Sequence, residues 1–453
     1  MYRDLDFDTA FRACDPYTGR LLQARAACST QQLHHSLESA RAAARQWAHA
    51  DWAERAGSLR LLADALRKQA GALVAALMAE IGKLRFEAEE EVARAADWCE
   101  FVADQGEQWL ADEWQGGARL IRRPWGIVLA VAPWNYPLWQ LVRPLATALA
   151  AGNACLLKPP PAAPITSGLL EPLLQQCLPP GLAQLVWLDE LGTISALAAS
   201  DLFVFTGGET AGRQLAAQAG HYLKPCVLEL GGNNAMVVLE DADIASAARL
   251  AAKSRCTNAG QRCTAIQRLI VVDTIASEFR EALLAELGRY RCGERDAPTT
   301  TLAPMATAGV KARLQRWLSA AQHNGAQTLL GGQAAGGEGY HFPATLLQVA
   351  GPGNPAFDEE LFGPAATLTA APDALSAISM AGQVRQGLVA SVWGGDVEQV
   401  RRLLRGFRAG SLFINRIPSS RFELPFAGTG ASGFGSTLGR DGLLAMTQPQ
   451  VWA

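Results

Sequence analysis

No charge of either sign dominates this sequence, since 40 Lys and Arg stand against 43 Asp and Glu for a formal net charge of −3. Such a chain has no overall electrostatic reason to hold nucleic acid or an anionic membrane surface. Long apolar runs are missing too: no stretch of 18 uninterrupted apolar residues occurs. The opening Met1-Tyr-Arg-Asp-Leu-Asp-Phe-Asp8 is charged and lacks the apolar segment of a secretion signal, so a soluble, unexported protein is expected. The nine cysteines, at 14, 28, 99, 155, 177, 226, 256, 263 and 292, are odd in number and form no CxxC pair. That excludes a zinc ribbon or disulfide framework as a reading and favours reduced thiols in a cytoplasm, with no metal site expected. Internal repeats and low-complexity tracts are absent. What remains, 453 residues of which 49% are apolar, suffices for two or three domains with substantial cores.

Residues 30 to 115 read as long helices, because Leu62, Leu66, Leu73, Leu77 and Ile81 recur at spacings of about four and seven between charged residues. Asp51 followed by Glu54 has the form of an N-cap with its capping-box partner. Glu87 to Glu91 places four carboxylates in five positions; neighbours on a helix point to different sides, so a solvated face is expected. From about 120 the pattern changes to α/β. The apolar run Gly126 to Ala132 has strand length, Pro133-Trp-Asn-Tyr-Pro137 breaks it, and a helix-like Leu138 to Ala151 leads through Gly152-Asn153 into the apolar run Ala154 to Leu157. This is a βαβ unit, from which parallel nucleotide-binding sheets are built. Strand-like 202–205, 227–230, 235–239 and 269–272 alternate with helix-like 242–252 and 276–288, while glycine-rich 327–339 reads as loop.

One motif is refused. Gly428-Thr-Gly430-Ala-Ser-Gly433 matches the dinucleotide fingerprint G-x-G-x-x-G, but the mechanism needs a strand before it, a helix after it and an acid at the end of the next strand, within about 30 residues. Twenty residues follow Gly433, so a turn-rich loop is expected.

Three other segments carry chemistry. Thr257-Asn-Ala-Gly-Gln-Arg-Cys263 sets a cysteine after small and polar residues, where a thiolate would be useful. Leu228-Glu229-Leu230-Gly231-Gly232 ends an apolar run on a carboxylate, and an acid among apolar residues costs free energy that suggests a task. Pro133-Trp134-Asn135-Tyr136-Pro137 holds an amide at the C-terminal end of a strand, where open α/β sheets bind ligands. With these in place, the chain resembles the NAD(P)-dependent aldehyde dehydrogenase superfamily nearly end to end. Eight motifs occur in that family's order: the opening turn Asp15–Gly19, Pro133–Pro137, Gly152–Pro159, Phe205–Gly208, Glu229–Gly232, Gly260–Cys263, Glu360-Leu-Phe-Gly-Pro364 and Pro425–Gly428.

The resemblance implies roles. Cys263 would attack the aldehyde carbon to form a thiohemiacetal, and Asn135 would steady the oxyanion with the backbone N–H of Cys263. After hydride passes to the nicotinamide, Glu229 would activate the water that hydrolyses the thioester. Cofactor contacts are implied for Trp134, Lys158, Pro161, Gly207, Gly208, Leu230, Glu360 and Phe362. Where family members that prefer NAD commonly carry a Glu three residues after the motif lysine, this chain has Pro161, so the cofactor is expected to be NAD or NADP. Arg143, eight positions past Asn135, resembles the arginine of members that oxidise carboxylated semialdehydes, notably succinate semialdehyde, and guanidinium suits bidentate carboxylate recognition. The second arginine of some of those enzymes, six residues before the nucleophile, is Thr257 here, which leaves Arg262, Arg416 and Arg421 as candidates.

The fold implied is α/β: a Rossmann-like cofactor domain over 1–106 and 125–231, a catalytic domain over 232–430, and a small β oligomerisation arm at 107–124 with 431–453. A homodimer or homotetramer acting on a small aldehyde, with no nucleic acid or membrane partner, is the corresponding expectation. Three rivals remain: an enzyme for an uncharged aldehyde, a CoA-acylating relative in which a thiol resolves the thioester, and an inactive homologue kept as a binding or structural protein. Retention of Glu229 argues against the second, and intact Cys263, Glu229 and Asn135 argue against the third.

Overall fold

A computed structural model describes residues 10–453, so the reading of the first eight residues lies outside the described part. The helical region holds four helices, Thr30–Trp47, Trp52–Lys68, Ala70–Glu80 and Arg85–Leu110. Its periodic residues Leu62, Leu66, Leu73, Leu77 and Ile81 are all buried, as a stripe facing a core must be. Asp51 caps the second helix by accepting the Glu54 N–H at 2.9 Å, which is one half of the expected box.

The run of acids departs from expectation. Glu89 and Glu90 are exposed, but Glu87 and Glu91, one helical turn apart, are 3% and 1% exposed. A solvated face is therefore right for two of the four and wrong for the other two, whose oxygens are taken by backbone N–H groups of distant segments.

These helices pack on a six-stranded sheet ordered Gly433–Phe434, Cys226–Glu229, Leu202–Thr206, Ile127–Val131, Ala154–Lys158 and Ala183–Leu185. The last five strands are parallel. The chain enters at Ile127–Val131, fills one side, then crosses to Leu202–Thr206 on the other. The direction of winding thus reverses between these two strands, and the crevice beyond their carboxyl ends is where open α/β sheets take ligands. Pro133-Trp134-Asn135 and Gly207-Gly208 leave from those ends.

A second sheet runs Gln327–Leu330, Thr345–Gln348, Ala365–Ala371, Ile266–Val272, Asn234–Val238, Val389–Trp393 and Ser411–Ile414, parallel except for the first pair. Period-two alternation gives it two cores: Met236, Val238, Leu269 and Val271 enter one, and Ala235, Val237, Ile270 and Val272 the other. Gln327–Leu330, expected as loop, is its edge strand; two exposed polar residues at its start hide it from an apolar-run reading. A third sheet, Glu113–Gln115, Ala118–Pro124 and Thr447–Trp452, is antiparallel and mostly exposed. Among the described residues no helix is long and apolar enough to cross a membrane, no group of three metal-ligating side chains occurs, and all nine cysteines are free.

The refused glycine motif is a turn. Gly433–Phe434 pairs antiparallel with Leu228–Glu229. Gly433 lies at φ +99°, where a side chain would be strained and would collide with the Leu228 carbonyl. Its glycines serve close approach between two backbones.

Candidate active site

The three chemistry-bearing segments meet in one cavity of about 690 Å³, counting the space open to solvent. Asn135, Glu229 and Cys263 line it together with Trp134, Gln140, Thr206, Gly207, Gly208, Leu230, Gly231, Glu360 and Phe362. Its lining of aromatic and aliphatic side chains with a few convergent polar groups is that of a small-molecule site. Lys158, Pro161 and Arg143 are not among the lining residues.

Cys263 arrives on a loop that the helix Ile244–Cys256 feeds. Asn258, Ala259 and Gly260 follow one another at φ +52°, +50° and +69°, a left-handed stretch that costs non-glycine residues about 1–3 kcal/mol each and persists only where its surroundings enforce it. Here they do. The Asn258 N–H is bound by Glu87 Oε1 at 2.6 Å, and Asn258 Nδ2 donates to the Asn135 carbonyl at 3.1 Å. Asn135 Nδ2 donates in turn to the Gln261 carbonyl at 2.9 Å. That uses one of its two amide hydrogens and leaves the other for a ligand oxygen. Beneath the nucleophile, Asn234 Nδ2 holds the Cys263 carbonyl at 2.6 Å. Burial, reinforced by the Glu229 carboxylate and opposed by Arg143, pushes the Cys263 thiol up to about 12.

Glu229 ends its strand 3% exposed. Its Oε2 lies 2.8 Å from Arg143 Nη1, and its Oε1 accepts a hydrogen bond from Thr437. Arg143 Nη2 donates to Thr206 Oγ1 at 3.1 Å. The guanidinium expected to face a substrate carboxylate is thus paired with the carboxylate of Glu229.

The other wall has the features of a cofactor cleft. Trp134 and Phe362 meet edge to face, with centroids 5.6 Å apart. Phe362 sits at φ +46°, a strained position at the pocket wall. Glu360 Oε1 accepts the Gly232 N–H at 3.0 Å, and a side chain on Gly231 would collide with Glu360. Gly208 precedes the helix Glu209–His221 without a side-chain cap, so that helix's first N–H groups and positive dipole end point to the crevice. Nothing within 4 Å would meet a side chain at Gly208, so room exists there for a ligand. Gln140, 7% exposed, has an Oε1 with no hydrogen-bond partner among the described residues. These features fit a dinucleotide. Farther along, Lys158 is buried at the end of its strand, and burial brings its ammonium down to about 8. The Pro161 carbonyl accepts the Arg12 N–H at 2.8 Å.

Residues 3–452 match the model of the aldehyde dehydrogenase family. The chain belongs to that family. Among its curated relatives is the probable succinate-semialdehyde dehydrogenase [NADP(+)] of Synechocystis sp., 35% identical over 98% of this chain and 99% of the relative. Another is the succinate semialdehyde dehydrogenase [NAD(P)+] Sad of Escherichia coli, 34% identical over 97% and 96%. Among solved structures, the succinic semialdehyde dehydrogenase of Streptococcus pyogenes, in complex with NADP+, superposes with a TM-score of 0.94 at 28% identity, covering 98% of this chain and 99% of that one. The α/β architecture above is therefore the aldehyde dehydrogenase fold.

Sequence reasoning on this aldehyde dehydrogenase missed several residues that touch the site. Thr437 lies beyond the last of the eight motifs, Pro425–Gly428, so nothing in its neighbourhood signals a bond to Glu229. Gln140 lies in the helix that follows Pro133–Pro137 and Thr206 lies inside the motif Phe205–Gly208 at the carboxyl end of its strand, so closeness to these motifs is the available signal. Glu87 was dismissed with its exposed neighbours.

Proposed function

We propose that this enzyme oxidises an aldehyde bearing a carboxylate, with succinate semialdehyde as the representative substrate, to the carboxylic acid with NADP+ or NAD+. The observation that carries the chemistry is the convergence of Cys263, Glu229 and Asn135 on one cleft beside an uncapped helix N-terminus at the sheet's switch point. The names of the relatives support the substrate.

In this reading the Cys263 sulfur adds to the aldehyde carbon, its proton leaving to solvent or to Glu229. The remaining Asn135 amide hydrogen and the Cys263 N–H bind the resulting oxyanion. When bound, an oxidised nicotinamide supplies a hydride acceptor and a positive charge; Trp134, Leu230, Gly207, Gly208, Glu360 and Phe362 would hold it, with Lys158 and Pro161 toward the adenosine end. Glu229, released from Arg143, orients and deprotonates the water that cleaves the acyl–sulfur bond. Arg143, beside Glu229, takes the substrate's carboxylate. The helices at 30–106 with the six-stranded sheet form the cofactor half, the seven-stranded sheet carries the nucleophile, and the exposed three-stranded sheet is the arm.

The deciding assay compares formation of reduced cofactor from succinate semialdehyde, butanal and benzaldehyde with each dinucleotide. A marked preference for the semialdehyde is expected. Preference for an uncharged aldehyde would keep the dehydrogenase and discard the carboxylate reading; turnover that required CoA would favour an acylating enzyme.

Lys158 gives a pH dependence. Below about 8 its ammonium is charged and attracts the dinucleotide; as pH rises through that value the proton leaves and the attraction is lost. Cofactor Kd should therefore rise above pH 8, and Lys158→Met should bind more weakly with that rise removed. A Kd equally pH-dependent in the variant would return Lys158 to a packing role.

We further propose a homo-oligomer in the cytoplasm, assembled through the arm. Its Trp114, Val451 and Trp452 are 72%, 64% and 52% exposed, an apolar surface that a second copy would cover. A monomeric mass by light scattering would refute the assembly.

A further inference from the structure

The helix Arg85–Leu110 turns Glu87 and Glu91 inward, with Lys83 just ahead of them, and all three side chains are buried. Taking two carboxylates and an ammonium out of water is costly, and an apolar face would pack the same helix without that cost. Their partners show what the charges hold. Glu87 Oε1 binds the Asn258 N–H at 2.6 Å, at the start of the left-handed turn leading to Cys263, while Oε2 takes the Leu84 N–H at 3.0 Å. Glu91 Oε1 binds the N–H groups of Leu138 and Trp139 at 3.0 and 3.1 Å, the first turn of the helix Pro137–Ala150 that follows Asn135. Glu91 Oε2 lies 3.1 Å from Lys83 Nζ, and the same ammonium sits 3.5 Å from the centroid of the Tyr136 ring. One helix face therefore grips the backbone on both sides of the site.

We propose that Glu87 and Glu91 are positioning residues: with Lys83 they form a buried clasp that fixes the Cys263 loop relative to the Asn135 loop. They touch no reacting atom. The inference rests on the reading of Cys263 as nucleophile and Asn135 as oxyanion donor, and it adds how that pair is kept in register. Asn258 is 1% exposed, so without Glu87 its N–H would be left buried and unpaired, and the left-handed turn would lose the contact that enforces it. A displacement of the nucleophile by about 1 Å can cost on the order of 10²-fold in rate. Burial pushes the Glu87 carboxyl up, with Lys83 and the Asn258 N–H pulling it back.

The test uses the full chain and two readouts: steady-state kinetics, and the rate of iodoacetamide alkylation at Cys263 followed by peptide mass spectrometry. Glu87→Ala should lower kcat by about 10- to 100-fold and slow Cys263 alkylation to a similar extent, with cofactor Kd unchanged. Glu87→Gln, which keeps an acceptor for the Asn258 N–H, should restore most of both. Should the alanine variant not fold, Glu87→Asp carries the test, since its shorter side chain keeps the charge but falls short of Asn258; slowed alkylation is again expected. Alkylation at the wild-type rate in a folded Ala or Asp variant overturns the proposal, as does a glutamine variant no better than alanine, or a loss of kcat matched by equal loss of cofactor binding. If Cys263 of the wild type, with oxidised cofactor present, does not react ahead of the other eight cysteines, the nucleophile reading itself fails, a result distinct from failure of the clasp.

Discussion

Cys263→Ala should reduce formation of NADPH or NADH by about 10⁴-fold or more, because without the sulfur no covalent adduct forms and water alone must add to the carbonyl. Cofactor affinity should be unchanged. The loop's geometry is held by Asn258, Asn135 and Gln261 and by the bond from Asn234 to the residue-263 carbonyl, none of which involves the thiol. Kinetics with saturating aldehyde and quenching of tryptophan fluorescence, to which Trp134 at the cavity wall contributes, measure the two quantities separately. Residual turnover above a few per cent of the wild type would sink the covalent mechanism. The sign of the thiol's perturbation sharpens the picture: at about 12 it is protonated at neutral pH in the ligand-free chain, burial being the main cause and the Glu229 charge the next. The positive charge of an oxidised nicotinamide would favour the thiolate, so alkylation of wild-type Cys263 should accelerate when oxidised cofactor is added.

The second large effect is expected from Arg143→Leu. In the proposed reading two functions meet on this guanidinium, and the substitution removes both. Loss of a charge-assisted pair to a substrate carboxylate, worth about 1.5–3 kcal/mol, should raise KM for succinate semialdehyde by roughly 10- to 100-fold while leaving KM for butanal almost unchanged. Loss of the partner of Glu229 acts on every substrate, since the carboxylate is then buried beside Thr437 with no cation. Breaking a buried pair from one side costs roughly 3–5 kcal/mol, so a lowered thermal midpoint and a reduced kcat for both aldehydes should accompany the KM effect. Equal KM changes for charged and uncharged aldehydes would show that Arg143 serves Glu229 alone, and the carboxylate would then have to be sought at another arginine.

What the sequence made legible was whatever is encoded over a few residues. The strand at Ile127–Val131 is an uninterrupted apolar run ended by two prolines, and the helices at 52–81 show their stripe directly. Glu229 is conspicuous because an acid terminates an apolar strand. Glu87 and Glu91 were illegible for a physical reason: a run of acids is ordinarily hydrated, and only bonds to Asn258, 171 positions away, and to Leu138, 47 away, make burial tolerable for two of the four. Arg143 was visible as a carboxylate binder, but which carboxylate it meets in the free chain depends on the register of two strands and a helix that no local pattern fixes. Thr437 was hidden by the same nonlocality, since its bond to Glu229 spans 208 residues.

That last span has a consequence for the order of events during synthesis. Domains generally form from the N-terminal end as the chain leaves the ribosome, so the five parallel strands, with Glu229 at the end of the last of them, are available early. The antiparallel partner of Glu229 at Gly433 and its hydroxyl donor at Thr437, 208 positions on, are made much later. A nascent chain can therefore form the sheet that carries Glu229 before that carboxylate has its final surroundings. The surroundings of Glu229 are completed only when the segment from Gly433 to Thr437 emerges and pairs.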